Sequence, residues 1–303
     1  MPGFPDQYQT PICPLRDGSA MGLYCSLDGA DELFTAFQGV FRDPAAWDKG
    51  HLFVVTGERG YGKTSQIQRC AAWLVSEAGP AGGCRVVPVD LSDSRWDKSD
   101  SDDKMRLTAN RILAALERLN LLDQGVRKGI EAQDDPAERF HELGDFLGSR
   151  RDGNDLRIVP AVLLQGRPTA GEVEMFYNAA EKNMIFFAEM FEKDQIAALD
   201  RRWRSLDRVE IMRHKLELDI LRENDFRMFV RELRGLGDDW PEIPASFVNI
   251  MEEDFIASEH GAGMREVISA MLGALEIARS DGVAEVSGRH LIRYYQMFNR
   301  GDR

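Results

Sequence analysis

The residues best suited to carry chemistry lie in one short stretch, Gly57-Glu-Arg-Gly-Tyr-Gly-Lys-Thr64. Its spacing matches the pattern G-x-x-x-x-G-K-[ST], in which glycines let successive backbone N–H groups curl around a phosphate. Lys63 would reach the outer phosphates, and the Thr64 hydroxyl would bind Mg²⁺. The pattern therefore predicts a site for ATP or ADP with Mg²⁺. We expect the contacts to come from nine consecutive residues: Gly57, Glu58, Arg59, Gly60, Tyr61, Gly62, Lys63, Thr64 and Ser65.

Hydrolysis of a bound nucleotide requires acids in addition to a phosphate loop. An acid at a strand end holds Mg²⁺, and a neighbouring carboxylate usually polarises the attacking water. Where these acids are expected, after a strand at 158–164, the chain has Gln165-Gly166. An amide can bridge to a metal-bound water, but it carries no charge and cannot act as a general base. The sequence predicts either displaced carboxylates or slow turnover.

Carboxylates at other strand ends could substitute for the missing pair. Asp90 ends the second predicted strand, Glu172 and Glu174 follow the third, and Glu189 ends the fourth. Acids at such positions are also commonly solvated or cap a helix, so each has an ordinary structural interpretation. The candidate metal ligands are Thr64, Asp90 and Gln165.

Apolar periodicity predicts the elements that must position these residues. Short apolar or β-branched runs predict five strands, at 51–56, 85–90, 158–164, 184–188 and 209–212. Pro88 would suit an edge strand or a strand end better than a central strand. Helical spacing predicts intervening helices at 27–41, 63–77, 105–122, 172–180 and 194–206, with a short one near 140–147. Alternating strands and helices imply an α/β fold with a five-stranded parallel sheet covered on both faces.

The pattern changes after Leu218, where helices are predicted at 223–233, 244–256, 264–279 and 287–298 without intervening strands. We therefore expect an extended N-terminal arm at 1–24, a phosphate-loop α/β domain at 25–215 and a small all-helical lid domain at 216–303.

Composition narrows the choice of partners. The net charge is −13, so a basic face for DNA could exist only locally and nucleic acid is not the favoured partner.

No apolar stretch approaches the roughly 20 residues that span a bilayer, and the N-terminal residues do not predict a secretory signal. Four cysteines without metal-ligand spacing indicate reduced thiols in a cytoplasmic protein.

Taken in order, these elements resemble the AAA+ class and its signalling relatives, the STAND ATPases. The closest likeness is to origin-recognition-type and transposition-regulator-type ATPases, with a degenerate Walker B segment at Gln165-Gly166. Four places carry the resemblance: the helix at 27–41, the phosphate loop, the segment 216–229 leading into the lid, and Gly261-Ala-Gly-Met-Arg265 followed by a long helix.

The resemblance implies roles for residues outside the loop. Arg265 would contact the γ-phosphate from the lid, as a second sensor, and a guanidinium suits phosphate oxygens. Glu189 stands where the family has a small polar first sensor. Lys63, Glu189 and Arg265 are therefore the candidate catalytic residues. The cluster Arg201-Arg202-Trp-Arg204 lies where relatives place a finger that reaches a neighbouring subunit's site; a basic solvated helix face is the alternative.

Three functions remain open from the sequence. The first is a nucleotide switch in which ATP-dependent lid closure controls self-assembly or a protein effector. The second is an active ATPase motor or DNA-associated loader, which needs an intact acid after the third strand and a basic track. The third is a kinase, in which Asp90 would hold the metal from a strand beside the loop strand. ATPase activity itself stays open, whereas the switch fits the missing acids best.

Overall fold

The computed structural model describes residues 15, 29–57, 60–91, 100–164, 168–204, 208–218, 240–256 and 264–301. Side chains are described within these ranges except at 254–256, 264–265 and 298–301. The predicted arm at 1–24, apart from Leu15, and the predicted helix at 223–233 lie outside the described residues. Among the described residues, no helix is long and apolar enough to cross a membrane.

Five strands form one parallel sheet in the order β2-β3-β4-β1-β5. The strands are β1 (Gly50–Thr56), β2 (Cys84–Asp90), β3 (Arg157–Leu164), β4 (Ile185–Met190) and β5 (Ile211–Glu217). The predicted five-stranded parallel sheet is therefore confirmed. The last strand extends to Glu217, so it continues two residues past the boundary expected at 215.

Ten α-helices of eight residues or more are described. They are α1 (Ala30–Val40), α2 (Lys63–Trp73), α3 (Ser101–Arg118), α4 (Gln124–Glu131), α5 (Pro136–Ser149), α6 (Ala170–Ala179), α7 (Lys193–Trp203), α8 (Ala245–Ile256), α9 (Met264–Ser280) and α10 (Gly288–Gly301). A π-helical turn at Leu74–Ala78 extends α2, and a 3₁₀ turn at Pro44–Asp48 leads into β1.

Both faces of the sheet are buried, as the apolar runs predict. Along β1, Leu52 and Val54 belong to one core with α3 to α7, whereas Phe53 and Val55 belong to a second core with α1 and α2. Every residue of β1 is buried. A strand buried on both faces needs a continuous apolar run rather than alternation, which is why His51-Leu-Phe-Val-Val could be recognised in the sequence.

The prolines of the sheet lie where the missing N–H group is tolerated. Pro88 is exposed on β2, which is an edge strand, as the sequence predicts. Pro160 lies on β3, but pairing of β3 with β4 begins only at Ala161. Pro160 therefore sits where β3 is paired with β2 alone.

The charged region between β2 and β3 contains one helix more than predicted. Besides the expected helix near Phe140, helix α4 occupies Gln124–Glu131. The Asp123 carboxylate accepts a hydrogen bond from the Val126 N–H and caps α4, and Asp135 caps α5 ahead of Pro136.

The last three helices share a core of their own. Residues of α8, α9 and α10 form one apolar cluster around Phe247, Met271 and Leu275. Helices α9 and α10 approach closely at Gly273, where an added Cβ would lie 2.1 Å from the Tyr294 ring. The predicted all-helical unit after the sheet is confirmed; its separation into an independent domain from residue 216 stays a prediction.

Candidate phosphate-binding site

The phosphate loop begins where β1 ends and adopts a glycine-dependent backbone. Gly57, Gly60 and Gly62 have φ angles of 139°, 86° and 81°. Side-chain-bearing residues rarely adopt these values, so the loop requires glycine at these positions. Glu58 and Arg59, two of the expected contact residues, lie outside the described residues.

Gly57 also lies close to the end of β5. A Cβ atom at Gly57 would lie 2.9 Å from the Leu218 carbonyl oxygen. The Leu218 N–H in turn donates a 2.9 Å hydrogen bond to the Thr56 carbonyl. The chain just past β5 is thus fastened to the start of the loop.

Helix α2 starts directly after Gly62, which takes a left-handed conformation as its N-cap. The first N–H groups of a helix have no intrahelical partner and point outward with the positive end of the helix dipole, which is a favourable place for phosphate. Tyr61 is 4% exposed and packs in the second core, so only its backbone can face a ligand.

Lys63 is held inside the loop. Its side chain is 6% exposed, and its Nζ donates a 2.9 Å hydrogen bond to the Gly57 carbonyl. The Nζ also lies 5.7 Å from the centre of the Phe191 ring, which follows β4. The ammonium group is therefore already placed across the loop. Phe191 was not among the predicted site residues, although its position directly after a strand was the available signal.

Thr64 meets an acid of the neighbouring strand. Its hydroxyl Oγ1 donates a 2.7 Å hydrogen bond to Oε2 of Glu189. Strand β4 lies beside β1, and its register places Glu189 opposite Val55, two residues before Gly57. The structure thus brings together the predicted metal ligand Thr64 and the predicted catalytic residue Glu189.

Asp90 lies far from this pair. It ends β2, which is separated from β1 by β3 and β4. Three strand spacings of roughly 4.8 Å correspond to about 14 Å between the two strands. The kinase interpretation needs Asp90 on a strand beside β1, and the observed sheet order gives that place to β4 and β5. This arrangement weighs against Asp90 as a partner of Thr64.

The acids after β3 stabilise the scaffold. Glu172 forms a reciprocal capping box with Thr169 at the start of α6 and binds Lys104 at 2.6 Å. Burial alone would raise the pKa of Glu172, but the hydrogen bonds from Lys104 and Thr169 lower it below its ordinary value. Glu174 forms an ion pair with Arg202 of α7.

The N-terminal ends of α6 and α7 are connected to each other. The Gln195 side chain on α7 accepts a 2.9 Å hydrogen bond from the Ala170 N–H at the start of α6. Gln165 lies outside the described residues. Arg265 belongs to α9, but its side chain is not described, so the predicted contact from the lid stays a prediction.

Arg208, which follows the basic cluster Arg201-Arg202-Trp-Arg204, has a structural role that the cluster does not share. Arg208 donates hydrogen bonds to the carbonyls of Tyr177, Asn178 and Ala180 and so caps the C-terminal end of α6. Arg201 and Arg204 are exposed at the C-terminal end of α7. Arg201, Arg204 and the half-exposed Arg202 are therefore the residues of the cluster that could reach a second molecule.

Comparison with known proteins identifies the fold. No protein-family model matches the chain, and no curated protein does. Among solved structures, Aeropyrum pernix ORC1 in complex with DNA is similar, at 15% identity and a TM-score of 0.57, over 89% of this chain and 65% of that one. Aeropyrum pernix ORC2, in ADPNP–ADP complexes, has 14% identity and a TM-score of 0.56, over 88% and 67% of the two chains.

Cdc6p from Pyrobaculum aerophilum is also similar, at 10% identity and a TM-score of 0.53, over 97% of this chain and 71% of that one. The chain thus spans 65% of the length of Aeropyrum ORC1, slightly less than two thirds. Identities this low show the fold alone. The chain has the AAA+ fold of P-loop ATPases, like that of origin-recognition proteins.

Proposed function

We propose that this AAA+-fold protein binds ATP or ADP with Mg²⁺ and acts as a regulatory switch, in which nucleotide-dependent closure of the helical lid controls assembly or a partner. The observation that carries the proposal is the phosphate loop itself. Three glycines with positive φ, the buried ammonium of Lys63 and the start of α2 converge on one point. Such a point favours the β- and γ-phosphates of a nucleotide.

The residues present suit a magnesium ion. A hydroxyl and a carboxylate, Thr64 and Glu189, lie 2.7 Å apart beside the loop, and hard oxygen ligands are those that Mg²⁺ prefers. A bound Mg²⁺ would neutralise phosphate charge. Lys63 would bind the phosphates in the same cradle, and Arg265 would approach them from the lid.

We further propose that hydrolysis is slow. Gln165-Gly166 replaces the expected acids after β3, and Glu172 and Glu174 are held in ion pairs with Lys104 and Arg202. A carboxylate already engaged by a cation is a weak base for activating water. Few carboxylates therefore remain to polarise a water molecule, and the nucleotide-bound state would persist.

A switch needs a second molecule or a second domain on which to act. The exposed Arg201 and Arg204 at the end of α7 are the residues that could reach a neighbouring subunit's nucleotide. We therefore favour a homo-oligomer or a protein effector as the partner. The buried free thiols of Cys70 and Cys84 agree with a reducing, cytoplasmic setting.

An active motor or DNA-associated loader is the second candidate, because Aeropyrum ORC1 was solved in complex with DNA. The net charge of −13 weighs against it, since DNA binding depends on neutralising phosphates. Helix α10 carries Arg289, Arg293 and Arg300 and no acid, so in this alternative it would be the segment that contacts DNA.

Mass measurement in solution, combined with phosphate release, tests the switch. The purified protein would be examined by light scattering with ADP, with ATP and without nucleotide. We expect an ATP-dependent change in mass, or an ATP-dependent gain in partner binding, with release of well under about one phosphate per second, below typical enzymatic turnover. Fast phosphate release without any nucleotide-dependent change in mass would instead support the motor.

A further inference from the structure

The magnesium site can be assigned more narrowly from the sheet order. Among the described acids, Glu189 is the one that is hydrogen-bonded to the phosphate-loop threonine, with 2.7 Å between Oε2 and Oγ1. It reaches Thr64 because β4 is the direct neighbour of β1. Residues at the end of β3 lie one strand further away, and Asp90 on β2 lies two further.

The chemistry of the pair suits a cation. Thr64 donates its single hydroxyl proton to Glu189, which leaves the oxygen lone pairs available to a metal ion. The carboxylate supplies a full negative charge from a half-buried position. Mg²⁺ is usually held by one or two carboxylates together with substrate phosphates and water, so it needs no cage of acids.

We propose that Glu189, at the end of β4, is the acidic Mg²⁺ ligand of this protein and works with Thr64 in place of an acid after β3. The inference rests on the proposed nucleotide binding and concerns the same site. It also explains how the site tolerates Gln165-Gly166, because the negative charge comes from the adjacent strand. The metal site is then built from β1 and β4 rather than from β1 and β3.

The contacts of the other nearby acids explain why we do not propose them as the Mg²⁺ ligand. Glu172 forms an ion pair with Lys104 and caps α6. Glu174 forms an ion pair with Arg202. Glu192 is exposed beyond the end of β4, at the N-cap of α7, and its side chain makes no capping hydrogen bond. It therefore provides a matched charge control three residues from Glu189.

The test measures metal dependence of binding rather than turnover. ATP affinity would be determined by calorimetry with excess Mg²⁺ and with EDTA for the wild type, Glu189→Gln, Asp90→Asn and Glu192→Gln. Glutamine keeps an oxygen acceptor for Thr64 and removes only the charge. Affinity in EDTA should be similar for all four proteins. Mg²⁺ should tighten binding to the wild type and both control variants by about tenfold or more, and to Glu189→Gln by less than about threefold.

A spectroscopic measurement gives a second readout. Mn²⁺ replaces Mg²⁺ as a paramagnetic probe, and its bound fraction is followed by electron paramagnetic resonance in the presence of ADP. Glu189→Gln should weaken Mn²⁺ binding about tenfold, whereas Glu192→Gln should not. A full Mg²⁺ effect in Glu189→Gln, or its loss in Asp90→Asn, would overturn the assignment. Failure of the proposed function is distinguishable, because the wild type would then bind no ATP under either condition.

Discussion

The hydroxyl of Thr64 and the carboxylate of Glu189 are joined by a 2.7 Å hydrogen bond, although 125 residues separate them in the chain. The bond ties the first turn of α2 to the end of β4. The phosphate loop and its nearest acid are therefore fixed relative to each other before a ligand arrives. Such preorganisation lowers the ordering cost of binding.

Replacing Thr64 by valine should remove both the hydrogen bond and the metal-binding hydroxyl. We expect Thr64→Val to lose the Mg²⁺-dependent part of ATP affinity and to lower the free energy of unfolding by about 1 kcal/mol. Thr64→Ser keeps the hydroxyl and should keep both properties. Calorimetry and urea unfolding measure them; a serine variant as impaired as the valine variant would contradict this role for the hydroxyl.

Alanine variants of two glycines distinguish the effect of backbone strain from an effect on ligand binding. Gly62 and Gly83 have φ angles of 81° and 69°, and a Cβ at either position would meet no atom within 4 Å. Alanine at either position should therefore lower the free energy of unfolding by about 1–2 kcal/mol through strain alone. Only Gly62→Ala should also weaken ATP binding, because Gly62 begins the phosphate-binding helix. Equal ATP affinity in the two variants would count against the loop as the binding site.

The sequence was sufficient to predict the loop and the sheet because both follow from local rules. Buried strands need apolar runs, as in β1, and Pro88 indicated an edge strand. The exception is β5, predicted at 209–212 but found at Ile211–Glu217. It is an edge strand that carries Arg213, His214 and Lys215, so the apolar run that predicts buried strands is absent.

The neighbour of Thr64 could not be predicted, because the order of strands in a sheet is a long-range property. The sequence places Asp90, Gln165 and Glu189 equally at strand ends. Only the order β2-β3-β4-β1-β5 shows which end lies beside the loop. The role of Arg208 as a helix cap was hidden for the same reason, since its three carbonyl partners lie 28 to 31 residues earlier.

A pair of histidines, the buried His51 and the half-buried His214, should make stability depend on pH. His51 Nε2 lies 2.8 Å from the Ala46 carbonyl and must donate to it, so its Nδ1 accepts from His214 Nε2 at 3.1 Å. Burial lowers the pKa of both imidazoles from 6.5 to about 4; the Ala46 carbonyl partly opposes the shift at His51, and proximity to His51 adds to it at His214.

The unfolded chain takes up protons at these histidines below about pH 6.5, whereas the folded chain does so only near pH 4. The stabilisation is therefore complete above pH 6.5 and is lost as pH falls towards 4, by up to about 1.4 kcal/mol per pH unit for each histidine. Urea unfolding between pH 7.5 and 5 measures the slope. A double variant, His51→Gln with His214→Gln, should flatten it, and His141→Gln, at an exposed position, should not; equal slopes in all three proteins would refute the assignment.

Replacing Arg208 and replacing Arg204 should have different effects on the free energy of unfolding. Arg208→Ala leaves three carbonyls at the end of α6 without their donor and should lower the free energy of unfolding by about 1.5–3 kcal/mol. Arg204→Ala, at an exposed position, should change it by less than about 0.5 kcal/mol. If Arg204 acts on a neighbouring subunit, its loss should reduce ATP turnover without changing ATP affinity. A stable Arg208→Ala protein would contradict its role as a cap.

The central claim, that this phosphate loop binds nucleotide, is tested most directly by calorimetric titration of ATP with Mg²⁺ into the wild type and Lys63→Ala. The buried Lys63 ammonium lies across the loop, so its loss should abolish measurable ATP binding. Lys128→Ala, on the exposed side of α4, is the matched control and should bind like the wild type. Tight binding to the wild type that disappears only in Lys63→Ala is the predicted result, and unchanged affinity in Lys63→Ala would contradict the account.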